Sequence, residues 1–199
     1  MKSSASTANG QEVPSSVVTK LTVLGATGSI GLNTLEIVRQ FPQKFKIEAL
    51  SCRSSIERLV EQIKEFQPRL VCVDNSEQAR ELRETFRQGN SGTETEFVWG
   101  VEGLVQVSSD PEVDLVVAGI VGAAGLQPTY SAVQAGKTVA VANKEPLVMA
   151  GELFVQTANK TGAKLLPTDG EHNAIFQALH GEPLERIARL ILTASGGPF

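Results

Sequence analysis

The chain has 199 residues, 41% of them apolar, and its 18 basic and 22 acidic residues give a net charge of −4. A chain of this length can form one substantial core and the beginning of a second domain. No basic block stands out that could neutralise many phosphates, so nucleic acid is not expected as a partner. The longest apolar stretches, such as residues 113–120, fall well short of the ~20 residues that a membrane span needs, so no membrane association is expected.

The amino-terminal segment, residues 1–20, is rich in Ser and Thr and has neither an apolar signal core nor the arginines of a transit peptide. We predict a disordered tail there, with a processed remnant of a plastid leader as the alternative. The two cysteines, Cys52 and Cys72, lack the spacing of a zinc site or a disulfide framework. A reducing compartment is therefore expected, either the cytoplasm or, in a eukaryote, the plastid stroma.

Short β-branched runs alternate with longer stretches of helical period from Leu21 onward. This alternation predicts an α/β fold with a doubly wound, Rossmann-like parallel sheet over residues 21–151. Pro42, Pro68 and Gly89 follow three of the helical stretches as stop signals. The predicted strands are 21–24, 47–52, 70–73, 95–98, 113–120 and 138–142, and the predicted helices are 30–41, 56–66 and 77–88.

The pattern changes after Asn143, where a predicted helix at 147–160 leads to a strand at 164–166, a polar cluster and a strand at 190–193. We place the end of the first domain near Gly151 and predict that residues 152–199 begin an α+β catalytic domain. Because an uncovered strand is a poor place for a domain to finish, the chain is expected to be a fragment.

A glycine-rich loop with the sequence GATGSIG, at residues 25–31, follows the first predicted strand and opens a helix. Its glycines, beginning with Gly25, let the backbone turn tightly and approach a pyrophosphate, while the helix amino terminus offers N–H groups and partial positive charge. The hydroxyls of Thr27 and Ser29 can add donors. Such triplets also occur in ordinary turns, but the flanking strand and amphipathic helix favour a dinucleotide site here.

The turn after the second predicted strand distinguishes NAD-binding from NADP-binding proteins, because an acid there binds a free 2′-hydroxyl and repels a 2′-phosphate. This turn has no acid in its sequence and instead carries Arg53, Ser54 and Ser55. A guanidinium and two hydroxyls can hold a phosphate, so NADP is favoured. The alternative is a solvated arginine in a surface loop.

Two carboxylates, Asp169 and Glu171, lie two residues apart in the run LPTDGEHN. In an extended segment they would point to the same side and could bind Mg²⁺ or Mn²⁺. The alternative is a solvated surface pair, although apolar residues on both sides favour a pair held at a core edge. For the adjacent His172 we favour a structural role, or one in which it orients a metal ligand, over that of ligand or base.

Two further polar groups follow predicted strands. The sequence Asn143-Lys144-Glu145 comes after TVAVA, at a carboxyl end where open α/β sheets bind ligands. In the run 195–197, the hydroxyl of Ser195 and the backbone amides of the following glycines could hold a phosphate. Each of these groups taken singly is also compatible with an ordinary turn.

Taken in order, the runs GATGSIG, GIVGAAGL, AGKTVAVANKE, LPTDGEHNAIFQ and TASGGPF resemble those of 1-deoxy-D-xylulose 5-phosphate reductoisomerase. The resemblance spans residues 21–199. It implies an NADP-dependent oxidoreductase of the non-mevalonate isoprenoid pathway, a homodimer when full length. With NADPH and Mn²⁺ or Mg²⁺, such an enzyme rearranges 1-deoxy-D-xylulose 5-phosphate to a branched aldehyde and reduces it to 2-C-methyl-D-erythritol 4-phosphate.

The resemblance also implies roles for individual residues. Lys144 and Glu171 would serve catalysis and contact the substrate, which would also be contacted at Gly170 and, at its phosphate end, by Ser195. Asp169 and Glu171 would ligate the metal. The residues implied for NADPH are Gly25, Thr27, Gly28, Ser29, Ile30, Arg53, Ser54, Ser55, Asn143 and Glu145.

The chain departs from the family pattern at several positions. Pro146 stands where relatives carry Ser or Thr, Gly170 stands where they carry a substrate-binding Ser, and the second-strand turn lacks their Gly and Asn. The family's third acidic metal ligand, its lid and its carboxyl-terminal helical domain would lie beyond Phe199. The chain is therefore expected to be inactive alone, and a non-catalytic NADP-binding module derived from the family is the alternative function.

Two other enzyme classes fit less well. A short-chain dehydrogenase would need a Tyr-x-x-x-Lys pair, but Tyr130 is followed four residues later by Gln134. A semialdehyde dehydrogenase would need a nucleophilic cysteine against the cofactor, and both cysteines come too early in the chain.

Overall fold

The computed structural model describes residues 18–88 and 94–191, in which one parallel sheet of seven strands alternates with seven α-helices. The strands are β1 (Thr19–Leu24), β2 (Phe45–Ser51), β3 (Leu70–Val73), β4 (Glu96–Trp99), β5 (Leu115–Ala118), β6 (Thr138–Val141) and β7 (Lys164–Pro167). The helices are α1 (Ser29–Gln40), α2 (Ile56–Phe66), α3 (Ser76–Gln88), α4 (Gly100–Ser109), α5 (Leu126–Gln134), α6 (Glu145–Thr161) and α7 (Gly170–Leu179).

The strand order β4-β3-β2-β1-β5-β6-β7 reverses its direction of growth between β1 and β5, and every neighbouring pair is parallel. In open sheets of this kind, ligands bind outside the carboxyl ends of the strands where the order reverses. The topology therefore places the candidate site beside the loop after β1.

Alternate residues of the strands face two separate cores, as the period of two requires. In β3, Val71 and Val73 pack in the core under α1, α2 and α3, whereas Leu70 and Cys72 pack in the core under α4, α5 and α6. Both faces of these strands are thus covered, which explains why β3 and β5 are continuously apolar. The predicted doubly wound α/β fold is confirmed.

The predicted strands and helices up to residue 167 agree with the structure to within two residues at each end. The largest difference is in the fifth strand, which was predicted over 113–120 but spans only Leu115–Ala118. The segment after β7 was predicted to be extended through Asp169 and Glu171, and this was wrong, because α7 begins at Gly170. The predicted strand at 190–193 is not present at residues 190 and 191, and the rest of it lies outside the described residues.

The proposed division near Gly151 falls inside α6, beside a kink at Ala150, where φ is −147° and ψ is 30°. Beyond this helix, β7 still pairs with β6 in the same sheet. Where one domain ends and the next begins stays a prediction. At the other end β1 starts at Thr19, inside the segment predicted as a tail, and residues 1–17 lie outside the described part.

None of the helices in the described part of the chain is long and apolar enough to cross a membrane.

Candidate functional site

The carboxyl edge of the sheet gathers nearly all the predicted site residues that the structure describes. The glycine loop follows β1, the Arg53 turn follows β2, Asn143 and Lys144 follow β6, and Asp169 follows β7. Ser195, predicted to bind the phosphate end of a substrate, lies outside the described residues.

Two glycines of the loop are required for different structural reasons. Gly25 has a φ of +77°, and a Cβ there would lie 3.1 Å from the carbonyl oxygen of Gly119, so it serves the tight turn. At Gly31 a Cβ would lie 2.5 Å from backbone atoms of Gly25 and Ala26, so only glycine lets α1 approach the loop. These are the turn and helix-packing roles that dinucleotide loops give their first and third glycines.

The N–H groups of the loop divide into two sets. Those of Gly25 and Ala26 donate to the hydroxyl and carbonyl oxygens of Ser51 in β2, at 3.0 and 2.8 Å. Gly25 therefore shapes the loop and does not offer its N–H group to a ligand. At the start of α1 the cap residue Gly28 provides no side-chain hydrogen bond, which leaves the N–H groups of Ser29 and Ile30 for an anion. The Thr27 hydroxyl contacts Cys52 Sγ at 3.2 Å.

Two side chains of α2 hold the carbonyl groups of this loop. Gln62 Nε2 donates to the carbonyl of Ala26 at 3.0 Å, and Arg58 Nη1 donates to that of Thr27 at 3.1 Å. Because a trans peptide points its C=O and N–H in opposite directions, the first bond turns the Thr27 N–H away from α2. Neither residue is predicted from sequence to belong to the site, although Gln62 is a polar residue in the buried face of α2, between Leu59 and Ile63.

Replacing Gln62 with Leu should lower the affinities for NADPH and NADH by the same factor, about three- to tenfold. The reason is that one hydrogen bond that organises the loop is lost. Stability should change little, since Gln62 Oε1 is buried without a hydrogen-bond partner among the described residues and its removal offsets the lost bond. Calorimetric titration with both cofactors measures the effect, with Gln134→Leu at the exposed end of α5 as the control. A change in the ratio of the two affinities would contradict a role in the shared pyrophosphate loop.

The turn after β2 offers three polar side chains beside the glycine loop. Arg53 and Ser54 are exposed, and Ser55 caps α2 without using its hydroxyl in a cap hydrogen bond. An acidic side chain nevertheless lies close to this turn in the folded chain. Asp74 comes directly after β3, and its Oδ1 is 3.6 Å from Arg53 Nε. The turn's own sequence contains no acid, but its surroundings do, and only the pairing of β2 with β3 reveals this.

Asn143 is the best-fixed polar residue of the site. It is buried, and its Nδ2 donates to the carbonyls of Ile120 at 2.6 Å and Gly122 at 3.2 Å, which holds the loop after β5. Its neighbours Lys144 and Glu145 are exposed at the start of α6. Pro146 lies in the first turn of that helix, where a missing N–H costs nothing, so this departure from the family pattern is compatible with the fold.

A cavity of about 440 Å³ opens at the carboxyl ends of β6 and β7. Its charged and polar lining consists of Lys144, Asp169 and His172, on an otherwise apolar wall. Contacts with a ligand would be strengthened there, because apolar walls lower the local dielectric. The apolar lining residues are Val141, Leu147, Val148, Leu165 and Pro167.

Asp169 is the amino-terminal cap of α7. Its Oδ1 accepts hydrogen bonds from the backbone N–H of His172 at 2.9 Å and from the His172 ring at 2.7 Å. The backbone bond, followed by that of the His172 side chain, lowers the pKa of the Asp169 carboxyl below its ordinary value, so the group is ionised at neutral pH. His172 thus orients Asp169, which is the structural role favoured for it from sequence.

The donor set fits a hard cation only in part. Asp169 keeps lone pairs beyond its two bonds, and Glu171 lies exposed in the first turn of the same helix. Within residues 18–88 and 94–191 no cluster of three or more His, Cys, Asp or Glu side chains could enclose a metal. Gly170, between the two carboxylates, has open space where a side chain would stand.

Two family models match the sequence. Residues 21–151 match the model described as 1-deoxy-D-xylulose 5-phosphate reductoisomerase, and residues 165–199 match that of the C-terminal domain of the same enzyme. The chain belongs to the 1-deoxy-D-xylulose 5-phosphate reductoisomerase family. The family resemblance drawn from the five sequence runs is confirmed.

Curated reductoisomerases cover nearly all of this chain. The enzyme of Dechloromonas aromatica is 50% identical over 190 residues, with 93% of this chain and 47% of that protein covered. The enzyme of Shouchella clausii is 49% identical over 180 residues, with 90% and 46% covered. The chain spans about half the length of the curated relatives it matches.

Solved reductoisomerase structures share the fold. A crystal structure of DOX-P reductoisomerase in complex with NADPH, fosmidomycin and magnesium has a TM-score of 0.77 and 44% identity, with 83% of this chain and 41% of that chain covered. The Zymomonas mobilis enzyme in complex with NADPH has a TM-score of 0.74 and 36% identity, with 80% and 41% covered.

Proposed function

We propose that this chain is part of an NADPH-dependent reductoisomerase that converts 1-deoxy-D-xylulose 5-phosphate to 2-C-methyl-D-erythritol 4-phosphate. The observation that carries this proposal is the placement of the glycine loop and the Lys144–Asp169 cavity along one carboxyl edge of the sheet. Family membership and the NADPH-bound relatives support it.

The cofactor's pyrophosphate would lie at the start of α1, on the N–H groups of Ser29 and Ile30. The 2′-phosphate would lie at Arg53 and Ser54, whose side chains are exposed, and at the half-buried Ser55. Strand β6 is two strands from β1, about 10 Å at the usual strand spacing. An extended dinucleotide can therefore bring its hydride donor from the glycine loop toward the Lys144 cavity. When bound, NADPH supplies the hydride, and these residues orient it.

The metal would be held by Asp169 and Glu171, with further ligands from water, substrate or other parts of the protein. When bound, Mg²⁺ or Mn²⁺ would supply Lewis-acid polarisation of substrate oxygens. In this chain the His172 hydrogen bonds hold Asp169 ionised and oriented at the cavity, and the Lys144 ammonium can offset negative charge that develops on a substrate oxygen.

We further propose a homodimer for the complete protein and a reducing compartment, the cytoplasm or the plastid stroma. Family resemblance supports the dimer. The two cysteines are both free and buried on opposite faces of the sheet, which agrees with a protein that forms no disulfides between them.

An assay of the complete gene product tests the proposed activity. NADPH oxidation should depend on both 1-deoxy-D-xylulose 5-phosphate and a divalent cation, and the product should be 2-C-methyl-D-erythritol 4-phosphate. If the complete product binds NADPH but never turns over the sugar phosphate with Mg²⁺ or Mn²⁺, the non-catalytic module is the correct reading.

A further inference from the structure

Hydrogen bonds of one side chain join the turns after β2 and β3 beside the proposed 2′-phosphate site. Gln78 of α3 donates from Nε2 to the carbonyl of Arg53 at 3.3 Å and accepts from the backbone N–H of Asp74 at 3.1 Å. Asp74 Oδ1 lies 3.6 Å from Arg53 Nε. One glutamine thus keeps the carboxylate of Asp74 next to the only guanidinium of the Arg53 turn.

This ion pair contributes little to the stability of the fold. The Arg53 side chain is 85% exposed and that of Asp74 is 51% exposed, and exposed pairs contribute little because water and salt screen them. The ion pair should instead affect the binding of a ligand to Arg53. A 2′-phosphate that binds Arg53 must share the guanidinium with Asp74, whereas a free 2′-hydroxyl carries no charge and does not compete for it.

We propose that Asp74 is a specificity-determining residue that reduces the preference for NADPH over NADH, because its carboxylate competes with the 2′-phosphate for the Arg53 guanidinium. The role rests on the proposed cofactor site. It acts through Arg53 and leaves the pyrophosphate contacts at α1 unaffected, so only the 2′-phosphorylated cofactor should respond.

The test is calorimetric titration of the chain with NADPH and NADH before and after Asp74→Asn. The amide keeps the shape of the side chain but removes its charge, so the Kd for NADPH should fall about three- to fivefold. The Kd for NADH should stay within about twofold. In the Arg53→Ala background Asp74→Asn should no longer raise the affinity for NADPH, because there is then no guanidinium for which Asp74 can compete. Glu81→Gln, which removes a carboxylate farther along α3, should leave both affinities unchanged.

Each other outcome overturns the inference. An unchanged affinity for NADPH would mean that Arg53 is not limited by Asp74. A weaker affinity for NADH would mean that Asp74 binds the ribose, and an undiminished gain without Arg53 would mean that it does not act through that residue. If the unmodified chain prefers NADPH and Asp74→Asn has no effect, only the role of Asp74 fails. If the unmodified chain binds no NADPH, the cofactor site fails with it.

Discussion

The Gly31→Ala variant is expected to lose both stability and cofactor binding. The added Cβ would lie 2.5 Å from the Cα and carbonyl oxygen of Ala26 and from the carbonyl oxygen of Gly25, all of them backbone atoms that cannot rotate away. Forcing α1 outward should cost roughly 3 kcal/mol, as overpacking in a dense core does. For a chain of this size the thermal midpoint should fall by about 6 to 12 °C. NADPH binding should fall with it, since α1 and the loop form the pyrophosphate site.

Gly151→Ala provides the matched control. It adds the same methyl group to a helix at a position where nothing lies within 4 Å, so it should leave stability unchanged or raise it by up to about 1 kcal/mol. Differential scanning calorimetry compares the two variants. A Gly31→Ala protein with an unchanged thermal midpoint and unchanged NADPH affinity would mean that α1 does not approach the loop as closely as the structure has it.

The Asp169→Asn variant of the complete protein is expected to lose turnover while keeping its fold. Asparagine still caps a helix, so its side-chain oxygen can replace the Asp169 acceptor at the start of α7. The negative charge that would hold the divalent ion is lost, and metal catalysis is worth several kcal/mol. The turnover number should therefore fall on the order of 100-fold or more. NADPH affinity should not change, because the glycine loop follows a different strand.

Steady-state kinetics with saturating Mg²⁺ or Mn²⁺ measure this loss, and circular dichroism checks that α7 remains folded. Glu182→Gln removes a carboxylate just beyond α7 and should leave turnover unchanged. Ordinary activity in Asp169→Asn would mean that the carboxylate serves only as a helix cap.

The glycine loop could be predicted from sequence because its signals are local: an apolar strand, three spaced glycines and an amphipathic helix follow one another. The start of α7 was missed although it also has a local signal. Asp169 is a good cap residue, and apolar residues at Ile175 and Leu179 are one helical turn apart. The two closely spaced carboxylates also fit the period of a strand, which is why the sequence predicts an extended segment there.

The surroundings of Arg53 could not be predicted in the same way. Asp74 is 21 residues away in sequence and reaches Arg53 only because β2 and β3 pair in register and end at the same edge. Gln62 likewise reaches the Ala26 carbonyl only once α2 packs beside α1. These contacts depend on tertiary packing, and no spacing within one motif encodes them.

Titration of the 199-residue chain with NADPH and NADH tests the proposed cofactor site. We expect one NADPH per chain, bound more tightly than NADH, because Arg53, Ser54 and Ser55 can hold a 2′-phosphate beside the glycine loop. Arg53→Ala should narrow the preference by removing a charge-assisted contact worth about 1.5–3 kcal/mol. Equal affinities for the two cofactors, or no binding of either, would contradict an NADPH site in this chain.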